Sequence, residues 1–413
     1  MKAEIITIGE EILSGQTIDT NSAYIGGRLA DIGIEVVWKT SIGDRLEDIK
    51  TAIRSAWQRS QVTIVTGGLG PTADDITKKA ICVAFERKLV FHDEILQEIE
   101  TRYRQRGTKM PALVQNQALQ PQGAEFIANK IGSAVGILFR ENDRYLVSLP
   151  GVPAEMKSML DNGVIPQLEK LRRHDYIEVR KIRTIGIMEA TIAEMVGDLQ
   201  PDSENLRLAY LPSYRGVDLR ITGKYADAAL ARREVERLTA AIINRLGEHV
   251  FTQGEESLTE VVNGLLILRR QTVATAESCT GGLMAKMITD ISGSSGSFVG
   301  SVIAYANEVK RKILKVPVSL LDSVGAVSPE VAEAMAAGVK KLTGADFGLS
   351  TTGIAGPTGG TAEKPVGLVY IGLADSNGTT VRKLNLSGTR ERIREAACYT
   401  ALDMLRRRLM GGT

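Results

Sequence analysis

Twice along this chain, short runs of β-branched and aliphatic residues alternate with amphipathic helical patterns. That alternation limits the fold more than any other feature. In the first 170 residues the runs at 5–8, 34–39 and 62–66 read as strands, and the stretches 21–32, 46–59 and 75–85 have helical spacing. Tyr24, Ile25, Leu29 and Ile32 share one helical face; Ile49, Ile53, Ala56 and Trp57 share another. Apolar strands each followed by a helix predict a mostly parallel sheet covered on both faces. The pattern changes near residue 171. From there to 253, strand-like runs at 177–185 and 217–222 bracket helical stretches at 189–199 and 226–246, which predicts a small α+β module. A linker follows, Phe251-Thr252-Gln253-Gly254-Glu255-Glu256. Alternation then resumes, with helices over 258–270, 281–291 and 390–409 and strands over 272–276, 298–305, 347–351 and 367–373. The expected fold class is α/β: two three-layer α/β/α domains, residues 1–170 and 254–413, joined by a smaller α+β domain, residues 171–253.

Composition removes several classes. A chain of 413 residues holds a core large enough to need no disulfide staple. Its 51 basic and 49 acidic residues leave a net charge of +2, too little to steer the chain to nucleic acid or an anionic membrane. The three cysteines, Cys82, Cys279 and Cys398, are far apart and odd in number, which fits a reducing compartment. The histidines, His92, His174 and His249, are scattered, and no Cys/His cluster has zinc spacing. No apolar run reaches the roughly 18 residues that span a bilayer. The first nine residues read as a strand and turn rather than a signal peptide. A cytoplasmic protein without membrane partners is expected.

In the first domain the strand Val62-Thr63-Ile64-Val65-Thr66 runs into Gly67-Gly68-Leu69-Gly70-Pro71-Thr72 and then a helix. Glycine lets backbone N–H groups approach an anion, and a helix start adds a positive dipole end. Asp74 and Asp75 sit where that helix begins. A carboxylate beside a phosphate is repelled unless a divalent cation lies between them, so one reading is a Mg²⁺-assisted phosphate site. The other is that Asp74 or Asp75 caps the helix. No GxxxxGK[ST] or GxGxxG occurs at this turn. Further candidate segments are Gly9–Gly15, Asp19–Asn21, Gly43-Asp44, Lys130–Gly136 and Leu149–Met156.

In the last domain the strand Thr272–Ala276 ends in Glu277-Ser278-Cys279-Thr280-Gly281-Gly282 and enters a helix. A hydroxyl at such a turn, facing the positive end of a helix, suits a nucleophile; the plainer reading is that Ser278 or Thr280 is an N-cap. Tyr305-Ala306-Asn307-Glu308-Val309-Lys310 follows another strand. A lysine serves as general base when desolvation or nearby positive charge lowers its pKa. All three histidines precede residue 250, so a Ser/His/Asp triad is excluded here and a Ser-Lys pair remains. Leu349–Gly360 is glycine-rich and offers amides for an oxyanion or a phosphate. Arg390 and Arg394 share one helical face, as a phosphate clamp or as part of a solvated basic helix.

These motifs together resemble the CinA family of competence- and damage-inducible proteins. Thr66–Thr72 with Asp75, the Gly9–Asn21 segment and Leu149-Pro150-Gly151-Val152-Pro153 look like its molybdopterin-binding-like domain. Leu211–Arg220 looks like its KH-like domain, although residues 171–253 contain no GxxG loop and carry 13 basic against 12 acidic residues, so nucleic-acid binding is not expected. Glu277–Gly282, Tyr305-x-Asn307-x-x-Lys310, Thr351–Pro357 and Gly388-x-Arg390-x-x-x-Arg394 look like its nicotinamide-nucleotide amidase domain. The resemblance implies a bifunctional enzyme of pyridine-nucleotide salvage that acts on small-molecule nucleotides as a homodimer. The C-terminal domain would hydrolyse nicotinamide mononucleotide to nicotinic acid mononucleotide and ammonia without a metal. Ser278 would attack, Lys310 would take the proton, Tyr305 would support that path, and Thr352 with nearby amides would hold the oxyanion. Arg390 or Arg394 would bind the 5′-phosphate, with Cys279, Thr280, Gly281, Asn307, Gly353 and Gly356 lining the site. Cys279 ranks second as nucleophile. The N-terminal domain would hydrolyse ADP-ribose to AMP and ribose 5-phosphate with a divalent metal, Mg²⁺, near Asp44 and Asp75, with Glu10 beside the metal and water. Gly9, Asn21, Thr66, Gly67, Gly68, Gly70, Pro71, Thr72, Gly132, Pro150 and Gly151 would surround the substrate. The alternatives are a pterin- or nucleotide-binding protein with one or both sites inactive, and a role in DNA processing.

Overall fold

The computed structural model describes residues 1–72, 75–171, 176–213 and 216–411, so Asp74, His174, Tyr214 and Arg215 lie outside the described residues. The chain is mixed α/β, with sheets flanked by helices. It separates into two compact units: residues 1–177 with 224–227, and residues 178–223 with 228–413. Among the described residues no helix is long and apolar enough to cross a membrane.

The first unit is built on β1 (Lys2–Ile8), β2 (Glu35–Ile42) and β3 (Val62–Thr66), followed by a small pair, β4 (Leu89–Phe91) with β5 (Leu119–Pro121), and then β6 (Glu125–Ile127), β7 (Gly136–Glu141) and β8 (Arg144–Leu149). The main sheet has the order β2-β1-β3-β8-β7-β6. β1, β2, β3 and β8 run parallel, with Ile5 opposite Lys39 and Ile64, and Thr66 opposite Leu149. β3 is buried at all five positions because both faces are covered. Ile5, Ile25, Leu29 and Val147 pack one face, and Ile6, Ile53, Val65 and Ile81 the other. The sheet is less parallel than its strand–helix alternation suggests. β7 and β8 form an antiparallel hairpin closed by Asn142-Asp143, both in the left-handed region at φ 52° and 57°, the geometry of a two-residue hairpin turn.

In the second unit, β9 (Tyr176–Thr184), β10 (Leu206–Ser213), β11 (Gly216–Tyr225) and β12 (Val250–Thr252) form a sheet of order β10-β11-β9-β12. Then come β13 (Val273–Glu277), β14 (Phe298–Ile303), β15 (Phe347–Gly353), β16 (Leu368–Asp375) and β17 (Gly378–Asn385), ordered β14-β13-β15-β16-β17. β13 is parallel to both neighbours, so the turns after β13 and β15 open on the same edge. The buried pair Arg406–Asp403 on the last helix ties this sheet to the preceding module: Arg406 also donates to the carbonyls of Glu248 and Val250.

The glycine turn after β3 is braced from behind. Gln117 Nε2 donates to Leu69 O at 2.8 Å, and Lys78 Nζ donates to Gln117 Oε1 at 3.1 Å. Lys78 is only 8% exposed, and burial pushes its pKa down to about 8, with Asp75 pulling the other way. Its folded pKa is therefore below its unfolded value. Between the two the unfolded chain binds more protons, so this group's contribution to stability rises with pH. Both tryptophans, Trp38 and Trp57, lie in this unit and report on it alone. Wild type should gain stability relative to Lys78→Met as pH rises from 8 towards 10, by an amount on the order of 3 kcal/mol or less, in urea midpoints read by tryptophan fluorescence. A pH-independent difference would contradict this.

Candidate active site

At the carboxyl edge of the second α/β sheet, β13 stops at Glu277 and the chain turns sharply. Ser278 N donates to Thr351 O at 2.9 Å, which anchors the turn to β15. β14 ends alongside, where Ala304 N donates to Glu277 O at 2.8 Å. The next helix, Asn307–Lys312, carries Lys310 back under the turn. Lys310 is 1% exposed, and its Nζ makes three contacts: Ala304 O at 2.8 Å, Tyr305 O at 3.2 Å and Ser278 Oγ at 3.1 Å. Burial lowers its pKa from the usual 10.5, with Cys279 opposing. A neutral amine has two hydrogens and one lone pair. With both hydrogens on the two carbonyls, the lone pair is left for the Ser278 hydroxyl. The geometry is that of a nucleophile and its base.

Other residues of the C-terminal set take places that revise their expected roles. The amides at the start of helix Leu283–Thr289 do not face Ser278. Glu277, 0% exposed, accepts from the N–H groups of Gly282, Met284 and Ala285 at 2.9, 3.1 and 2.8 Å. Thr352 Oγ1 donates its one hydrogen to Ala326 O at 2.6 Å, so this geometry leaves that hydroxyl no hydrogen for an oxyanion. Tyr305 touches Lys310 through its carbonyl, while its exposed phenol accepts from Arg390 Nη2 at 3.3 Å; the ring is not in the proton path. Thr280 is fully buried and shares a 2.7 Å hydrogen bond with Thr351, so its side chain lines nothing. Arg394 donates through Nε and Nη2 to Thr280 O. Arg390 donates to Gly356 O at 2.7 Å. Gly353 is required by packing, since a Cβ there would lie 2.6 Å from Leu368 O. Gly281 and Asn307 are exposed at the rim. Cys279 is buried, and burial pushes its thiol up to about 11, which removes the thiolate a nucleophile needs.

In the first unit a cleft of about 390 Å³ opens at the carboxyl ends of β1, β3 and β8. Gly9, Gly67, Gly68, Gly70, Pro71, Asp44, Asp75, Pro150 and Gly151 line it as expected, and so do Glu11 and Glu155, which lie in the candidate segments Gly9–Gly15 and Leu149–Met156 without a role of their own. Gly67 sits at φ 110°, and a Cβ there would meet Ile8 O at 2.2 Å. Asp75 caps its own turn rather than the helix: its Oδ2 accepts from Thr72 N at 2.9 Å and Thr72 Oγ1 at 2.5 Å. Asp44 Oδ2 accepts from Glu10 N at 3.1 Å, but the Glu10 carboxylate packs against Gly43 and is not among the lining groups; Glu11 takes that place. Asn21 and Thr66 are buried behind the lining. Asn21 Nδ2 donates to Gly151 O and Thr66 Oγ1, and Thr66 donates to Pro150 O, so both brace the loop. Gly132 packs on Glu155 beside the cleft. Among the described residues no three His, Cys, Asp or Glu side chains converge on a metal position. Magnesium commonly needs fewer, being held by one or two carboxylates with substrate phosphates, and Asp44 and Asp75 fit that pattern.

Comparison with known proteins gives three family matches: the probable molybdopterin binding domain over residues 4–170, the damage-inducible protein CinA KH domain over 179–252, and the CinA C-terminal domain over 255–409. A competence-damage inducible protein of Caldicellulosiruptor saccharolyticus is 42% identical over 410 residues, 99% of this chain and 100% of its own. A CinA-like protein of Kosmotoga olearia is 42% identical over 410 residues, 99% of each chain. Among solved structures, a competence/damage inducible protein of Agrobacterium tumefaciens is 39% identical over 37% of this chain and 97% of its own, at a TM-score of 0.35.

The raised Cys279 pKa has a direct test. At pH 8 about one thiol in 10³ is ionised. Iodoacetamide should leave Cys279 of the native protein unmodified over a time that fully labels the urea-unfolded chain, by peptide mass spectrometry. Rapid native labelling would return the thiol to candidacy as the nucleophile.

Proposed function

The chain belongs to the CinA family, and we propose that its C-terminal site is an amidohydrolase acting on nicotinamide mononucleotide. The observation that carries this reading is the buried Lys310 amine 3.1 Å from Ser278 Oγ. Lys310 removes the hydroxyl proton as Ser278 attacks the carboxamide carbon. Backbone amides of the surrounding turns are left to hold the developing oxyanion. The tetrahedral adduct collapses, the C–N bond breaks, and the proton on Lys310 passes to the departing ammonia. Lys310 then activates a water, which cleaves the ester and releases nicotinic acid mononucleotide and free Ser278. Arg390, exposed at the start of its helix, binds the 5′-phosphate. No step calls for a metal.

For the N-terminal site the acid-lined cleft beside Gly67–Gly70 favours hydrolysis of the ADP-ribose pyrophosphate bond. Asp44 and Asp75 would hold a divalent metal, which supplies charge neutralisation at phosphorus when bound. The amides of Gly68 and Gly70 orient the phosphates, and a lining carboxylate orients the water. Binding of a pterin without turnover is the rival, because this fold serves both.

Product analysis tests both halves. Ammonia release from nicotinamide mononucleotide should survive EDTA and fall at least about 10³-fold in Ser278→Ala and in Lys310→Met. AMP release from ADP-ribose should be unaffected by those substitutions and stopped by EDTA. Wild-type ammonia release in Ser278→Ala would refute the amidase assignment; absence of AMP with Mg²⁺ present would leave the pterin reading. The amidase also carries a pH signature. Only neutral Lys310 is a base, so kcat/KM should fall as pH drops through a pKa below 10.5. A flat acid limb would exclude Lys310 as the base.

A further inference from the structure

Arg390 and Arg394 are one turn apart, and by spacing alone both are candidates for one phosphate. Their contacts separate them. Arg390 is the first residue of the 20-residue helix Arg390–Leu409, behind the N-cap Thr389, and is exposed, with Nη1 on Gly356 O and Nη2 on the Tyr305 phenol. The positive end of a long helix reinforces its charge. Arg394 is half-buried, and its Nε and Nη2 converge on a single acceptor, the carbonyl of Thr280, at 3.2 and 2.5 Å.

Thr280 lies two residues past the nucleophile, in a turn whose Gly281 and Gly282 are left-handed at φ 58° and 90°. Such a turn has little stiffness of its own. It is held from its other end by Glu277, whose carboxylate takes the N–H groups of Gly282, Met284 and Ala285. A cation thus grips the turn by a carbonyl and an anion grips it by its amides, with Ser278 between them.

We propose that Arg394, together with Glu277, is a positioning residue that fixes the Ser278 turn against Lys310, and that Arg390 alone reads the substrate phosphate. Arg394 acts on the reaction through Thr280 and does not touch substrate. The proposal rests on the amidase reading of this site for its kinetic test, and on Ser278 alone for its chemical one. A displacement of about 1 Å between nucleophile and base lowers turnover by about 10²-fold.

The experiment compares nicotinamide mononucleotide with nicotinamide riboside, which keeps the carboxamide and lacks the phosphate. A parallel measurement follows the rate at which a fluorophosphonate labels Ser278, read by mass spectrometry. Arg394→Ala should lower kcat on both substrates by about 10²-fold with little change in KM, leave the ratio of their kcat/KM values as in wild type, and slow labelling similarly. Arg394→Lys should recover part of both rates, since an ammonium still donates to the Thr280 carbonyl. Glu277→Gln, which turns one accepting oxygen into a donor, should slow labelling too. Arg390→Ala should raise KM for the mononucleotide and bring the two substrates together. If Arg394→Ala instead raises KM for the mononucleotide selectively, or labels at the wild-type rate, the proposal is overturned. Should Arg394→Ala not fold, a wild-type labelling rate in Arg394→Lys together with Glu277→Gln overturns it equally. A wild type that labels at Ser278 but releases no ammonia from either substrate would sink the amidase reading, while the labelling rates still decide the positioning role.

Discussion

An amine kept away from water is the constraint on which the C-terminal site rests. A lysine in solution is an ammonium at neutral pH and has no lone pair to offer. Burial moves Lys310 towards the neutral form, and Ala304 and Tyr305, just past the end of β14, present their carbonyls to its amine. Desolvation penalises the charge, and the two carbonyls give the remaining hydrogens fixed partners. In the neutral form the lone pair is thereby aimed at Ser278 Oγ. No histidine lies in this half of the chain, and none is required.

The same local device, a strand running into a glycine turn and a helix, serves opposite ends in the two units. After β3 the turn stays open: Gly67, Gly68 and Gly70 line a cleft, and Asp75 closes the far end of the turn through the Thr72 amide. After β13 the turn is closed: Glu277 occupies the helix-start amides, so those amides do not face Ser278. A strand, glycine turn and helix thus line an open cleft in one place and form a rigid mount in the other. The difference is one buried carboxylate placed directly before the turn.

How far this was legible from residues alone varies by distance along the chain. Strand, turn and helix are local, so the alternation, the core faces of the helices 21–32 and 46–59, and the Ser278–Lys310 pairing across two carboxyl-terminal strand ends were readable. The β7–β8 hairpin was not read, because its strands are buried on both faces and lack the alternation that marks a half-exposed hairpin; Asn142-Asp143 was the available signal. Side-chain direction was the larger loss. Nothing local says that Thr352 turns to Ala326, that Arg394 turns to Thr280, or that Glu11 rather than Glu10 faces the cleft. Each is settled by which partner sits across a gap of tens of residues. Asn21 and Thr66 show the same effect, since a polar residue beside a site and one bracing it from behind have the same sequence signature.

The charge of the N-terminal cleft sets its chemistry. Glu11, Asp44, Asp75 and Glu155 line it, and no lysine or arginine does among the described residues. The nearby cation, Lys78, has its amine on Gln117 and the carbonyl of Asn116. A pyrophosphate entering such a cleft adds further negative charge, and each unit pair about 5 Å apart repels by about 3 kcal/mol at an effective dielectric of about 20. Glycine amides supply hydrogen bonds but only partial charges, too little to offset several such pairs. On the proposed reading, then, substrate and divalent cation must enter as one neutralised species, with Asp44 and Asp75 as the carboxylates that share the cation with the phosphates. A ligand without phosphate charge would face no such barrier, so the cleft's electrostatics tie any phosphate-bearing ligand, pyrophosphate above all, to a bound cation.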